Sequence, residues 1–369
     1  MNAEQLVESL DKLLLSALDK RASDIHFEPY LHHYRIRMRI DGVLQDMLMP
    51  PLALAKQIAA RLKIMAKLNI AEQRLPQDGQ LMVDRYAMRI STLPVINGEK
   101  IVLRVMDNNE SELTIDDLGL TQHNLSIFQQ ILDYPQGLIL VTGPTGSGKT
   151  VTLYSGLKKL NKPERNICSV EDPIEIPIDG INQTAINVKA SLTFAVILRA
   201  LLRQDPDVIM IGEIRDPETA EIAIQAAQTG HLVLSTLHTN SSLEALIRLN
   251  QMGIKNYLVS SSLKLIIAQR LVRKLCQYCK VVASQLIVLG GETTAHFIAM
   301  GCEHCFGGYH GRIGLYEFLP ITAEIQHQLL RDQMISPTNM ITLKVAGQKL
   351  VKDGVTTIAE LQRVLGDYL

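Results

Sequence analysis

Eight residues near the middle of the chain, Gly143-Pro144-Thr145-Gly146-Ser147-Gly148-Lys149-Thr150, follow the spacing G-x-x-x-x-G-K-[ST]. Glycines at these positions let backbone N–H groups approach phosphate oxygens without obstruction by a Cβ. Lys149 is then placed to neutralise β- and γ-phosphates, and Thr150 to ligate Mg²⁺. The apolar run from Gly137 to Thr142 predicts a strand leading into the loop. A helix starting near Lys149 adds its N-terminal dipole to the same spot. The implied chemistry is binding of a nucleoside triphosphate and attack on its terminal phosphate.

Other polar groups fall where such a site needs them. Val208-Ile-Met-Ile-Gly212-Glu213 reads as a buried strand ending in an acid. An acid there holds Mg²⁺ or its waters. Ser169-Val-Glu171-Asp172-Pro-Ile-Glu175 is a second acid group at a strand end, where one carboxylate can position the attacking water. Which of Glu213 and Glu171 is the base stays open. Gly230-His231 through His238-Thr239-Asn240 is a strand ending in polar groups, and His238 can donate to the γ-phosphate. The competing reading is a satisfied structural histidine. Arg199 and Arg203 stand four apart on a predicted helix and share a face. Two guanidiniums there can clamp phosphate oxygens, or they are surface arginines beside Asp205 and Asp207.

Of five cysteines, Cys168 stands alone and four form the pairs Cys276-x2-Cys279 and Cys302-x2-Cys305, with 22 residues between the pairs. Four thiolates in two knuckles suit tetrahedral Zn²⁺. Two redox pairs, or unligated buried thiols, are the alternative. His304 and His310 are read as non-ligands, because four cysteines complete the shell.

The elements that must position these groups are legible in the patterning. The 369 residues, 47% hydrophobic, suggest two or three domains. A formal net charge of −1 excludes the simplest nucleic-acid argument, a strongly basic chain. The start of the chain lacks signal-peptide features, and no apolar stretch is long enough to span a bilayer. The expectation is a cytoplasmic protein that meets a membrane only through partners. Residues 1–107 read as a small α+β domain. A helix covers 4–20, and Tyr34, Ile36, Met38 and Ile40 alternate with Arg35, Arg37 and Arg39 in a strand with one basic face. Asp41-Gly42 is a hairpin turn. A helix follows over 52–69, then two strands around Gln80–Pro94 and Lys100–Val105. Residues 108–118 read as a linker. From 119 to 275 short apolar strands alternate with helices, which argues a mostly parallel sheet. A tetracysteine element at 276–306 and a helical C-terminal region at 307–369 complete the expectation.

Taken in order, these segments resemble the secretion ATPase superfamily, and within it the type II secretion and type IV pilus assembly ATPases (GspE/PilB-like). The resemblance is carried by Ala22-Ser-Asp-Ile-His26, Arg37-Met-Arg-Ile-Asp-Gly42, Arg74-Leu-Pro-Gln-Asp-Gly79, the phosphate loop and the "Asp box" Glu171–Glu175. It continues through Leu198–Asp207, Gly212-Glu-Ile-Arg-Asp216, the "His box" 230–240 and Gln269-Arg-Leu-Val-Arg273. It implies a RecA-like P-loop ATPase domain with an upstream PAS-like α+β domain, a Cys₄ zinc knob and a C-terminal helical region. The implied cofactors are ATP, Mg²⁺ and Zn²⁺. It also implies that Glu213 is the catalytic Walker B acid, and that Glu175 and His231 belong to the nucleotide site. Arg89 and Arg104 match arginines that the family brings toward the phosphates from the upstream domain. Arg199 and Arg203 match a second pair. The implied assembly is a homo-hexamer acting on an inner-membrane platform protein to build a pilus or pseudopilus, without direct nucleic-acid contact. A nucleic-acid-translocating motor and an ATP-binding regulatory subunit without turnover are the alternatives. Three departures stand out: no counterpart of the extra N-terminal docking domain of many members, Val151 where many have Thr, and a short spacing between the cysteine pairs.

Overall fold

The computed structural model describes residues 3–106 and 113–366. The chain divides into two compact units, 1–111 and 112–369. The expected linker at 108–118 lies outside the described residues as far as 112.

The first unit has helix α1 (Ala3–Asp19), strands β1 (Ala22–Pro29), β2 (Tyr34–Ile40) and β3 (Val43–Leu48), and helix α2 (Ala55–Met65). Strands β4 (Gln77–Val83), β5 (Tyr86–Val95) and β6 (Gly98–Met106) follow. All six strands join one antiparallel sheet in the order β3-β2-β1-β6-β5-β4. Alternation along β2 buries Tyr34, Ile36, Met38 and Ile40 and turns the three arginines to the other face. Asp41 and Gly42 both have positive φ, 49° and 85°, as a type I′ turn requires. The segment read as one strand around Gln80–Pro94 is two. The chain reverses at Asp84, whose φ is 54°, and Val83 then pairs with Tyr86. No glycine marks that turn, so alternation ran through it unbroken. The predicted helix over 52–69 is shorter, a 3₁₀ turn over Leu52–Leu54 followed by α2.

The second unit is built on a seven-stranded sheet. In chain order come α3 (Gln122–Leu132), β7 (Gly137–Thr142), α4 (Lys149–Leu160), β8 (Ile167–Glu171), β9 (Asn182–Ala185), α5 (Phe194–Leu201), β10 (Val208–Ile211), α6 (Pro217–Gln228) and β11 (Leu232–Leu237). Then follow α7 (Ser242–Gln251), α8 (Asn256–Ser262) and the long β12 (Leu263–Leu275). The order is β17-β12-β7-β11-β10-β8-β9, parallel except for the last strand in sequence, β17 (Tyr309–Pro320), which runs antiparallel to β12. Strands β7, β8, β10 and β11 are buried along their whole length, as a sheet covered on both faces demands. Leu138 and Leu140 pack toward the helices α5 to α8, whereas Ile139 and Val141 pack toward α3 and α4.

Between β12 and β17 lie four short strands in two small hairpins, β13 (Val281–Val282) with β16 (Phe297–Ile298) and β14 (Ile287–Leu289) with β15 (Glu292–Thr294). They form the knob that carries the cysteines. Helices α9 (Ala323–Leu330), α10 (Leu343–Lys352) and α11 (Ile358–Leu365) end the described chain.

Two boundaries differ from the sequence reading. The region expected to be helical from 307 begins with a twelve-residue strand, β17. It covers an edge of β12 that would otherwise expose a row of unpaired backbone groups. Residues 115–118, read as linker, form a 3₁₀ turn whose Ile115 and Leu118 are buried in the core beside α4. Tyr316 of β17 fixes that turn, since its phenol donates to the Leu118 carbonyl at 2.7 Å. Tyr316→Phe removes the donor and leaves a buried carbonyl unpaired, so it should cost about 1–3 kcal/mol. A urea titration followed by circular dichroism checks this, and an unchanged midpoint would show that water replaces the phenol.

Candidate functional site

The parallel strands end along one edge of the sheet, and that edge gathers the polar groups. Gly143–Thr150 leaves the end of β7 and enters α4 at Lys149. Gly148 is the N-cap with φ 85°, and Gly143 has φ 154°. A Cβ on Gly143 would lie 2.5 Å from the Gln269 carbonyl, so β12 presses directly on the loop and admits only glycine there.

Lys149 is only 9% exposed. Its ammonium donates to the carbonyls of Gly143 at 2.8 Å and Pro144 at 3.0 Å. Burial lowers its pKa to about 8; the nearby Glu213 charge opposes that shift and the Arg270 charge adds to it. The hydroxyl of Ser147 is buried with no hydrogen-bond partner. A buried cation resting on its own loop's carbonyls, an orphaned hydroxyl and a glycine cradle together fit a phosphate group. Thr150, in the first turn of α4, is half-buried.

Glu213 follows β10 and is 13% exposed. One of its oxygens pairs with Arg215 and the other with the His238 Nε2 at 3.3 Å. His238 follows β11, and burial, reinforced by the Lys149 charge, holds its pKa below the ordinary imidazole value. Lys149, Glu213 and His238 thus form one cluster.

Glu171 ends β8 and is buried. Tyr154 of α4 donates to one of its oxygens; Ser169 at 2.6 Å and Gln183 at 3.0 Å donate to the other. Burial first, then the contact with Glu171, raises the Tyr154 pKa well above that of an ordinary phenol, so this donor stays protonated. Glu171 therefore ties the phosphate-loop helix to β8 and β9. Three protein donors leave its carboxylate little capacity for water.

The remaining candidates lie elsewhere. Glu175 is exposed on the loop after β8. His231 precedes β11 and so stands at the opposite edge of the sheet, where its Nδ1 lies 3.0 Å from the Ala226 carbonyl at the end of α6. Within this chain the strand carries His231 and His238 to opposite edges, roughly 20 Å apart. Arg199 pairs with Glu218 at 2.7 Å, and Arg203 donates to the Arg199 carbonyl at 2.8 Å. These partners belong to α5 and α6, not to the Lys149 cluster. In the first unit Arg89 and Arg104 face each other across β5 and β6, and Arg104 pairs with the buried Asp24 at 2.9 Å.

Three residues close to the loop had no assigned role in the sequence. Gln269 accepts from Thr152 of α4 at 2.7 Å. Arg270 donates to the carbonyls of Gln269 and Asn240, each at 2.9 Å. Arg215 reaches Glu213. For Arg270 a signal existed, since an arginine in the middle of a buried strand demands partners. For the other two, only the fold supplies the reason.

At the far end of β12, Cys276, Cys279, Cys302 and Cys305 bring their sulfurs within 4.8 Å of one another. Neighbouring sulfurs are 3.7–3.8 Å apart. A tetrahedron with metal–sulfur bonds of about 2.3 Å has edges of about 3.8 Å, so the donor set fits a tetrahedral metal ion. The same spacing is far too long for disulfides.

The Lys149 geometry has a measurable consequence. The folded chain releases this proton near 8 and the unfolded chain near 10.5. Between those values the unfolded state holds more protons, so the nucleotide-free protein gains stability as pH rises through that window. Urea midpoints measured from pH 7 to 10 should climb more steeply for the wild type than for Lys149→Met. Parallel curves would count against a desolvated Lys149.

Comparison with known proteins places this architecture. Residues 1–363 match the family described as Type II/IV secretion system protein. The chain is 53% identical to the Protein transport protein HofB homolog of Escherichia coli (strain K12), covering 97% of this chain and 81% of that one. It is 46% identical to the Type IV pilus assembly ATPase PilB of Acinetobacter baylyi, covering 98% of this chain and 66% of that one. It is also 46% identical to the Type II secretion system protein E of Dickeya dadantii, covering 97% and 75%. Among solved structures, the pilus retraction motor PilT with bound ADP superposes with a TM-score of 0.61 at 26% identity over 96% of each chain. The Legionella pneumophila ATPase DotB shares the fold, with a TM-score of 0.67 at 22% identity over 96% of this chain and 94% of that one. By sequence and by fold, the chain belongs to the Type II/IV secretion system protein family.

Proposed function

We propose that this chain is an ATPase whose hydrolysis of MgATP powers assembly of a type IV pilus or a type II secretion pseudopilus. The observation that carries the reading is the single cluster of Lys149, Glu213 and His238 at the end of β7, β10 and β11. The names of the relatives, a pilus assembly ATPase and a secretion system protein, support the cellular role. The working form is a homo-hexamer docked on an inner-membrane platform protein from the cytoplasmic side. Among the described residues no helix is long and apolar enough to cross a membrane.

The chain's own groups divide the work. Loop N–H groups and Lys149 hold the β- and γ-phosphates, and Lys149 exchanges carbonyl partners for phosphate oxygens. Thr150 and Glu213 hold Mg²⁺ or its waters; the ion, when bound with ATP, neutralises charge on the phosphates. Glu213 orients the attacking water and takes its proton, and a neutral His238 donates to the γ-phosphate. Glu171 and Tyr154 keep α4 in place. Arg89 and Arg104, side by side on the charged face of their sheet, serve as anion ligands. Arg199 and Arg203 serve as a second pair of phosphate ligands, and the exposed contact of Arg199 with Glu218 is weak enough to exchange.

Comparing two variants tests the division. Glu213→Gln should keep ATP binding and lose hydrolysis by about 10²–10⁴-fold. Glu171→Gln should keep a sizeable share of turnover and lose about 1–3 kcal/mol of stability, because one of its two acceptor oxygens becomes an amide donor that faces a buried donor. The reverse ordering would make Glu171 the base.

We also propose that the four cysteines hold one structural Zn²⁺. Elemental analysis of the purified chain should give one zinc per chain, and Cys302→Ser should lose it. Zinc-free protein with all four thiols titratable would refute the site.

A further inference from the structure

Glu213 is the group on which the proposed reaction turns, and in this structure each of its oxygens already has a side-chain partner. One is held by Arg215 and the other by His238. The second arm of the same guanidinium reaches Asp172, on the loop after β8, at 3.8 Å. Arg215 therefore bridges carboxylates from two strand ends, and its side chain is 62% exposed. An ion pair this open to water is weak and easily exchanged.

The neighbouring space gives the guanidinium somewhere to go. A 460 Å³ cavity opens beside it, lined by Arg215 itself, Leu237, His238, Asn240 and two residues of α7, Glu244 and Arg248. Glu244 offers a carboxylate across that cavity. The Arg215 side chain is exposed and lines this space, so its exchange need not unpack a buried strand.

We propose that Arg215 is an exchangeable counter-ion that masks Glu213 until a divalent cation arrives, and so sets the affinity of the site for that cation. Cation and guanidinium compete for the same carboxylate. Arg215 is a positioning residue, acting through Glu213. This inference rests on Glu213 being the site's working carboxylate.

Mn²⁺ with saturating ADP is the probe, and free Mn²⁺ is read by electron paramagnetic resonance on the full chain. Arg215→Ala and the isosteric Arg215→Gln should both bind Mn²⁺ more tightly, by about three- to fivefold, the size of a partly exposed ion pair. Arg215→Lys should stay near wild type, because it keeps the cation. In a Glu213→Gln background, Arg215→Gln should change nothing. Unchanged or weaker Mn²⁺ binding in folded Arg215→Gln overturns the proposal, as does an equal gain in the Glu213→Gln background. Failure of the parent reading looks different: Glu213→Gln would then hydrolyse ATP like the wild type, whatever Mn²⁺ does.

Discussion

One charge kept out of water organises this edge of the sheet. Lys149 is buried at the mouth of a fully buried strand; its ammonium hydrogen-bonds loop carbonyls, and the nearby Glu213 charge offsets only part of the cost of burial. That arrangement is affordable because the loop folds back on itself, and it folds back because glycine admits the backbone angles and the close approach of β12. Uncompensated, such a cation disfavours its own charged form. A phosphate group would offset that cost, because its charge compensates the lysine's.

The two glutamates show how one residue type is given opposite tasks. Each lies at the end of a parallel strand. Glu171 is surrounded by donors from α4, β8 and β9 and behaves as a joint. Glu213 is held by two side chains that are themselves about half exposed, Arg215 and His238, and can be released. The difference lies in how exposed the partners are and not in the acids.

What the sequence made legible follows the range of the interaction that defines each feature. The phosphate loop was readable because its requirement is local: glycines, a lysine, a strand before and a helix after. The basic face of β2 was readable because a period of two is local as well. The turn at Asp84 was hidden, since an aspartate at positive φ looks like any polar residue in an alternating strand. The strand β17 was hidden because its reason is the open edge of β12, nearly fifty residues earlier. His231 was assigned to the nucleotide site on a resemblance spanning a whole strand, and within this chain that strand sets His231 and His238 at opposite edges of the sheet. Glu171 was read as a free acid because Tyr154 and Gln183 meet it only in three dimensions.

The long strand β12 has a mechanical consequence. As far as Ala268 it is clamped between β7 and β17, but from Gln269 onward its partner is β17 alone. The outer half, roughly 20 Å of two-stranded ribbon, leads to the cysteine knob and packs on α10 and α11, where Val272, Leu315, Leu343, Val351 and Leu361 share one buried cluster. Glu360 of α11 props it from the side, through Arg273 at 2.7 Å. Gln269, where the strand parts from β7, holds α4 through Thr152 and lies against Gly143 and Gly148. The strand's passage from two partners to one and the grip on the phosphate loop meet at the same residue, so any force borne by the cysteine knob reaches the nucleotide loop through it.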